Sequence, residues 1–161
     1  MKNHLIISLL LLSVLFCQKE YNANNLNEID GVFYTKDTYK PYSGKVFSLY
    51  DDGNKESEWT LKDGRLDGLY TLWYKSGRKW LENTYKDGKL DGEYNLWYKS
   101  GKKWFQKNYK EGKLDGLSTF WDREEILDTK DTYKDDELMF KRCFDVKGNE
   151  CECSDLGRGC K

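Results

Sequence analysis

Residues 68–91, GLYTLWYKSGRKWLENTYKDGKLD, and residues 92–115, GEYNLWYKSGKKWFQKNYKEGKLD, agree at sixteen of twenty-four positions. Self-similarity at a fixed period of this length marks a repeat architecture, in which a small unit buries its apolar side against copies of itself. Each unit reads as a β-hairpin: residues 69–74 (LYTLWY) form a strand, residues 75–78 (KSGR) a turn and residues 79–85 (KWLENTY) the return strand. Tyr, Trp, Leu and Thr suit a pleated surface. Ser-Gly and Asp-Gly favour turns, because glycine takes up positive φ at little cost. Asp87-Gly88 then leads the chain into the next unit at Gly92.

A two-residue loop at Ser76-Gly77 would set Trp73 opposite Trp80, Leu72 opposite Leu81 and Tyr70 opposite Asn83. One face would carry Tyr70, Leu72, Tyr74 and Leu81, the other Thr71, Glu82 and the Trp73–Trp80 pair. In the next unit Tyr94, Leu96, Tyr98 and Phe105 fall on the first face, with Asn95, Gln106 and the pair Trp97–Trp104 on the second. The first face is the candidate core. A three-residue loop with a bulge would shift the pairing by one, and the two-residue register is preferred because it sorts the faces cleanly. Hairpins side by side extend a sheet by ~10 Å per unit. Trp73, Trp97 and Trp121 would then stand in a row.

Counting outward by the same period places unit starts at Gly44, Gly68, Gly92 and Gly116. Residues 30–43 form a leading half-unit, with Pro41, which has no donor for a ladder, just before the first full repeat. The fourth unit keeps Trp121 and Tyr133 but has Glu125 and Asp136 where earlier units have glycine. A fifth fragment puts Phe144 at the tryptophan position and Gly148 at the turn glycine. Drift at the end of an array is expected, since a terminal unit has a neighbour on one side only. The expectation is an all-β domain over residues 29–149, an elongated antiparallel sheet of stacked hairpins, followed by a Cys-rich tail at residues 150–161.

The amino terminus is of another kind. Lys2 precedes an apolar run at residues 5–16, LIISLLLLSVLF. This is shorter than the ~20 residues a helix needs to cross a bilayer, and it fits the apolar region of a signal peptide over residues 1–16. Cys17 follows at once, an arrangement resembling a bacterial lipoprotein signal in which that cysteine is acylated, although Phe16 stands where a small residue is usual. The alternative is cleavage after Ala23 with no lipid, and either route exports the protein. Residues 17–28, CQKEYNANNLNE, read as a polar tether. In an exported chain Cys143, Cys151, Cys153 and Cys160 suggest two disulfides. Cys151–Cys153 is disfavoured by the strain of so tight a ring. Zinc is the competing reading, weakened by the lack of a histidine nearby. The bridges would staple the last sheet edge.

The pattern Gly-x-Tyr-x-x-Trp-Tyr-x-x-Gly, with YKDGKLDG at residues 85–92 and YKPYSGKV at residues 39–46, resembles the bacterial variant of the MORN repeat. The resemblance covers roughly residues 30–140. It implies stacked hairpins with no catalytic centre. Some MORN proteins are described as membrane or protein scaffolds, and many bacterial relatives carry the label YwqK-like antitoxin. Trp80, Trp104 and the Cys-rich tail depart from plain members of the group.

Net charge is -1 with 34% charged residues, so no basic field points to nucleic acid. The one histidine, His4, lies inside the signal. No nucleophile elbow, phosphate loop or paired-histidine metal site is present in the sequence. Neither an enzyme nor a cofactor is expected, and no metal. Asp63, Asp67, Asp87, Asp91 and Asp115 recur beside glycines, but without the alternating oxygens of a calcium loop they read as turn chemistry. Lys75, Arg78, Lys99 and Lys102 read as solvated surface.

The candidate binding face is the set Trp73, Trp80, Trp97, Trp104 and Trp121, since large rigid amphipathic rings suit glycans and partner proteins. The competing account is cross-strand clamping within each hairpin. The expected function is that of a non-catalytic envelope lipoprotein, a binding or scaffold module for an unknown protein or glycan, held to the membrane by its lipid. The alternative is an antitoxin-like or periplasmic immunity protein that neutralises a cognate effector.

Overall fold

The computed structural model describes residues 20–154 and 159–161. The signal segment and Cys17 lie outside the described residues. Near the amino end are β1 (Tyr21–Asn22), β2 (Leu26–Ile29) and β3 (Val32–Thr35). The first two repeats supply β4 (Gly44–Leu49), β5 (Lys55–Lys62), β6 (Arg65–Trp73) and β7 (Lys79–Lys86). The next two supply β8 (Lys89–Trp97), β9 (Lys103–Lys110), β10 (Lys113–Leu114), β11 (Gly116–Trp121) and β12 (Leu127–Lys134). Last come β13 (Glu137–Phe144) and β14 (Glu150–Cys151). Strands β4 to β13 form an antiparallel meander in one elongated twelve-stranded sheet, with β1 parallel to β4 at one edge and β14 beside β13 at the other.

Two kinds of turn alternate along it. Between units, Asp63-Gly64, Asp87-Gly88, Glu111-Gly112 and Asp135-Asp136 are tight turns whose φ angles all lie between 49° and 88°. Positive φ at both central residues gives a turn whose twist matches that of the strands it joins. Within a unit the loop is one residue longer. The Gly77 N–H donates to the Tyr74 carbonyl and the Tyr74 N–H to the Arg78 carbonyl, both at 2.8 Å. The same arrangement recurs at Tyr98 and at Asp122.

The expected two-residue loop at Ser76-Gly77 is therefore not formed. Trp73 pairs with Lys79, Trp80 is an extra residue in a bulge, and Leu72 still faces Leu81 and Tyr70 still faces Asn83. The bulge absorbs the additional loop residue, so the register is restored one step inward, and the one-residue shift expected of such a loop does not occur beyond Trp73. The next unit repeats this, with Trp97 opposite Lys103 and Leu96 opposite Phe105. Tyr70, Leu72, Leu81, Tyr94, Leu96 and Phe105 share one face as expected, because cross-strand partners point to the same side.

Neighbouring units are tied at both ends. The hydroxyls of Tyr50, Tyr74 and Tyr98 donate to the carbonyls of Trp73, Trp97 and Trp121 at 2.6, 2.7 and 3.2 Å. At the opposite end the Gly64, Gly88 and Gly112 N–H groups donate to the carbonyls of Tyr42, Leu66 and Leu90. Asp67 and Asp91 accept from the backbone N–H of Asp87 and Glu111, so these aspartates act as turn groups.

The polar tether needs correction. Residues 20–28 belong to the fold: Tyr21 stacks on Tyr42 at 4.7 Å, and Leu26 is buried with Val46, Trp59 and Leu61 in the main core cluster. The β2–β3 hairpin lies against the first unit, with Phe33 6.4 Å from Trp59. Two apolar anchors in an Asn-rich run are too sparse to give a period, which is why composition alone reads it as linker. At the other end Cys143–Cys153 and Cys151–Cys160 are bridged, with Cα separations of 5.2 and 5.6 Å, and this displaces the zinc reading. β14 covers only Cys143 and Phe144 of β13, so the staple closes one end of that edge.

Tyr74→Phe removes one inter-unit bond and is expected to lower stability by ~1 kcal/mol in urea unfolding. Glu125 holds φ 72° where earlier units have glycine. Glu125→Gly should therefore raise stability by about 1 kcal/mol in the same assay.

Candidate functional site

The five tryptophans do not form one surface. Trp73, Trp97 and Trp121 stand in a row on the face that carries Thr71, Glu82, Asn95 and Gln106. Lysines fill the row: Lys55 lies 5.6 Å over Trp73, Lys79 5.8 Å over Trp97, and Lys103 5.8 and 5.7 Å from Trp97 and Trp121. Lys55 and Lys79 are ion-paired to Glu58 and Glu82, while Lys103 donates to Asn95 and Gln106 at 3.1 Å each. Thr71, Asn95 and Thr119 are buried on this side. Each cation–π contact contributes about 0.5–1 kcal/mol at an exposed site. Lysines thus lie over the rings of this row, which are half-buried. The sequence carried a signal for it, Lys55, Lys79 and Lys103 at the unit period, that propensity reasoning passed over.

The expected pairing of Trp73 with Trp80 and of Trp97 with Trp104 is not formed, because the bulge puts Lys79 and Lys103 opposite the first tryptophans; Trp73 and Trp80 still line one cavity with Tyr70 and Leu72. Trp80 packs on Tyr74 with ring centroids 5.9 Å apart. Trp104 stacks on Tyr98 at 5.4 Å and touches Phe105 at 5.3 Å. They remain 42% and 37% exposed, so folding uses only part of each ring. Both supporting tyrosines are held by their hydroxyl bonds to the next unit, which makes the shelf rigid.

A groove of about 440 Å³ lies against Trp104, lined also by Tyr74, Tyr98, Lys99, Ser100 and Arg123. Both charged groups lining it are cations. Arg78, expected as plain surface, donates to the carbonyls of Lys99 and Ser100 at 3.1 and 2.9 Å and stiffens the groove wall.

A second polar cluster sits under the fourth unit. Lys107 lies 4.8 and 5.5 Å over Phe105 and Phe120, and burial holds its ammonium below the usual lysine range. Asp131, 2% exposed, is paired to Lys141 at 3.1 Å. Ser118 is also there but fully enclosed, so no substrate reaches its hydroxyl. These groups set packing. Among the described residues no group of three or more His, Cys, Asp or Glu side chains is placed to hold a metal ion.

Burial raises the pKa of Tyr70, Tyr85, Tyr94 and Tyr109 above 10.0. An unfolded tyrosine loses its proton near pH 10, while these keep theirs to higher pH. Their contribution is full below that value and is lost as pH rises through the folded pKa. The melting temperature should fall steadily above about pH 10, with phenolate absorbance appearing together with unfolding. A melting temperature that stays flat through this range would contradict the assignment.

Comparison with family models, with curated proteins and with solved structures finds no match to this chain.

Proposed function

We propose that the chain is a non-catalytic binding module of the bacterial cell envelope, built from MORN-type repeats and anchored through a lipid on Cys17. The observation that carries the reading is the shelf of Trp80 and Trp104, which the fold leaves more than a third exposed, while lysines lie over the rings of the other row. Two disulfides suit an oxidising compartment. Cleavage before Cys17 would keep β1, whose Tyr21 stacks on Tyr42, whereas cleavage after Ala23 would remove it.

Two measurements test this. Intact mass of the membrane-extracted protein should show acyl chains on Cys17 and four oxidised cysteines; an unacylated chain would remove the anchor. Trp80→Ala with Trp104→Ala should leave thermal unfolding cooperative and yet reduce co-sedimentation with delipidated envelope about tenfold. Unchanged co-sedimentation would exclude the shelf.

A further inference from the structure

The groove against Trp104 has a chemistry more specific than that of a generic docking patch. Its walls are aromatic, its two charged groups are Lys99 and Arg123, and its hydroxyl is Ser100. Of the three acids on the turn of Arg123, Asp122 accepts from the backbone of Glu124 and Ile126, Glu125 accepts from the Lys103 N–H, and Glu124 does not line the groove. A ligand that fits must therefore offer flat apolar faces together with negative charge.

The carbonyls at the groove wall are already paired. Tyr98 and Gly101 close their own turn, and the Lys99 and Ser100 carbonyls accept from Arg78. An extended peptide binds by adding a strand to free backbone groups, and the Lys99 and Ser100 carbonyls are not among them. The aromatic shelf also repeats. Tyr74–Trp80 and Tyr98–Trp104 occupy equivalent places in adjacent units, so they stand one hairpin apart. That is two strand spacings, or ~10 Å, close to the length of two β-linked pyranose rings.

We propose that this surface binds an acidic glycan, a strand of β-linked sugars bearing carboxylates. Sugar rings lie on Trp104 and Trp80 through their C–H faces, and a carboxylate is held by the Arg123 guanidinium with Lys99 beside it. The inference rests on reading the chain as a binding module, and it names the ligand class.

The test titrates the full mature protein, followed by tryptophan fluorescence, with three probes. These are a hyaluronan hexasaccharide, the neutral chitin hexasaccharide and a polyglutamate peptide. Saturable binding of the acidic sugar is expected, about tenfold tighter than the neutral one, with no response to the peptide. Trp104→Ala should weaken the acidic sugar by about tenfold. Arg123→Gln, on an exposed turn remote from the core, should bring the acidic sugar down to the neutral level while leaving the melting temperature unchanged.

The proposal is overturned by equal affinity for both sugars, by a response to the peptide instead, by no binding of the acidic sugar, or by unaltered binding in Arg123→Gln. Loss of envelope co-sedimentation in the double tryptophan variant, with no glycan titrating, would keep the module and discard the acidic glycan.

Discussion

The first three hairpins of the sheet each pass a tyrosine hydroxyl to a tryptophan carbonyl in the following unit, at Tyr50, Tyr74 and Tyr98 in turn. At the opposite end, a turn glycine N–H reaches back to a carbonyl of the preceding unit, Tyr42, Leu66 or Leu90. A lone hairpin is marginal in water, and these two sets of bonds, added to the strand ladder, couple each one to its neighbour. The repeat period follows from this. An insertion in one unit would move a tyrosine away from its carbonyl and a turn away from its cap together.

The bulge beside each three-residue loop has the widest consequences for the surface. It keeps Leu72 opposite Leu81 and Leu96 opposite Phe105, which preserves the core face. It also separates the two tryptophans of each unit. One joins a lysine-filled row on the polar side, where charge and ring satisfy each other. The other leans on a tyrosine whose hydroxyl is fixed, and keeps part of its ring open.

The ends of the array lack a neighbour and are closed by different means. At the first unit, β2 and β3 bring Leu26 and Phe33 to Trp59, in a core cluster with Val46 and Leu61. At the last, two short disulfide loops hold β14 against β13, while Leu138, Met139 and Phe140 stay exposed. Glu125 and Asp136 adopt the backbone angles that glycine holds in earlier units, so the turn geometry outlasts the residue best suited to it.

The amino-acid sequence by itself determined the hairpin unit, its period, the apolar face and the turn role of the aspartates. All of these depend on alternation and on turn chemistry that act over a few residues. It also narrowed the cysteines to a paired set without naming the partners. Only the tertiary structure decided the length of the inner loop, the fate of Trp80 and Trp104, and the recruitment of Tyr21 and Leu26 into the core. A three-residue loop with a bulge and a two-residue loop without one give the same pairing at Leu72 and Leu81. The pattern of apolar residues cannot tell them apart; the closure of the loop by the Tyr74 N–H on the Arg78 carbonyl, with the Tyr74 hydroxyl tied to the next unit, separates them.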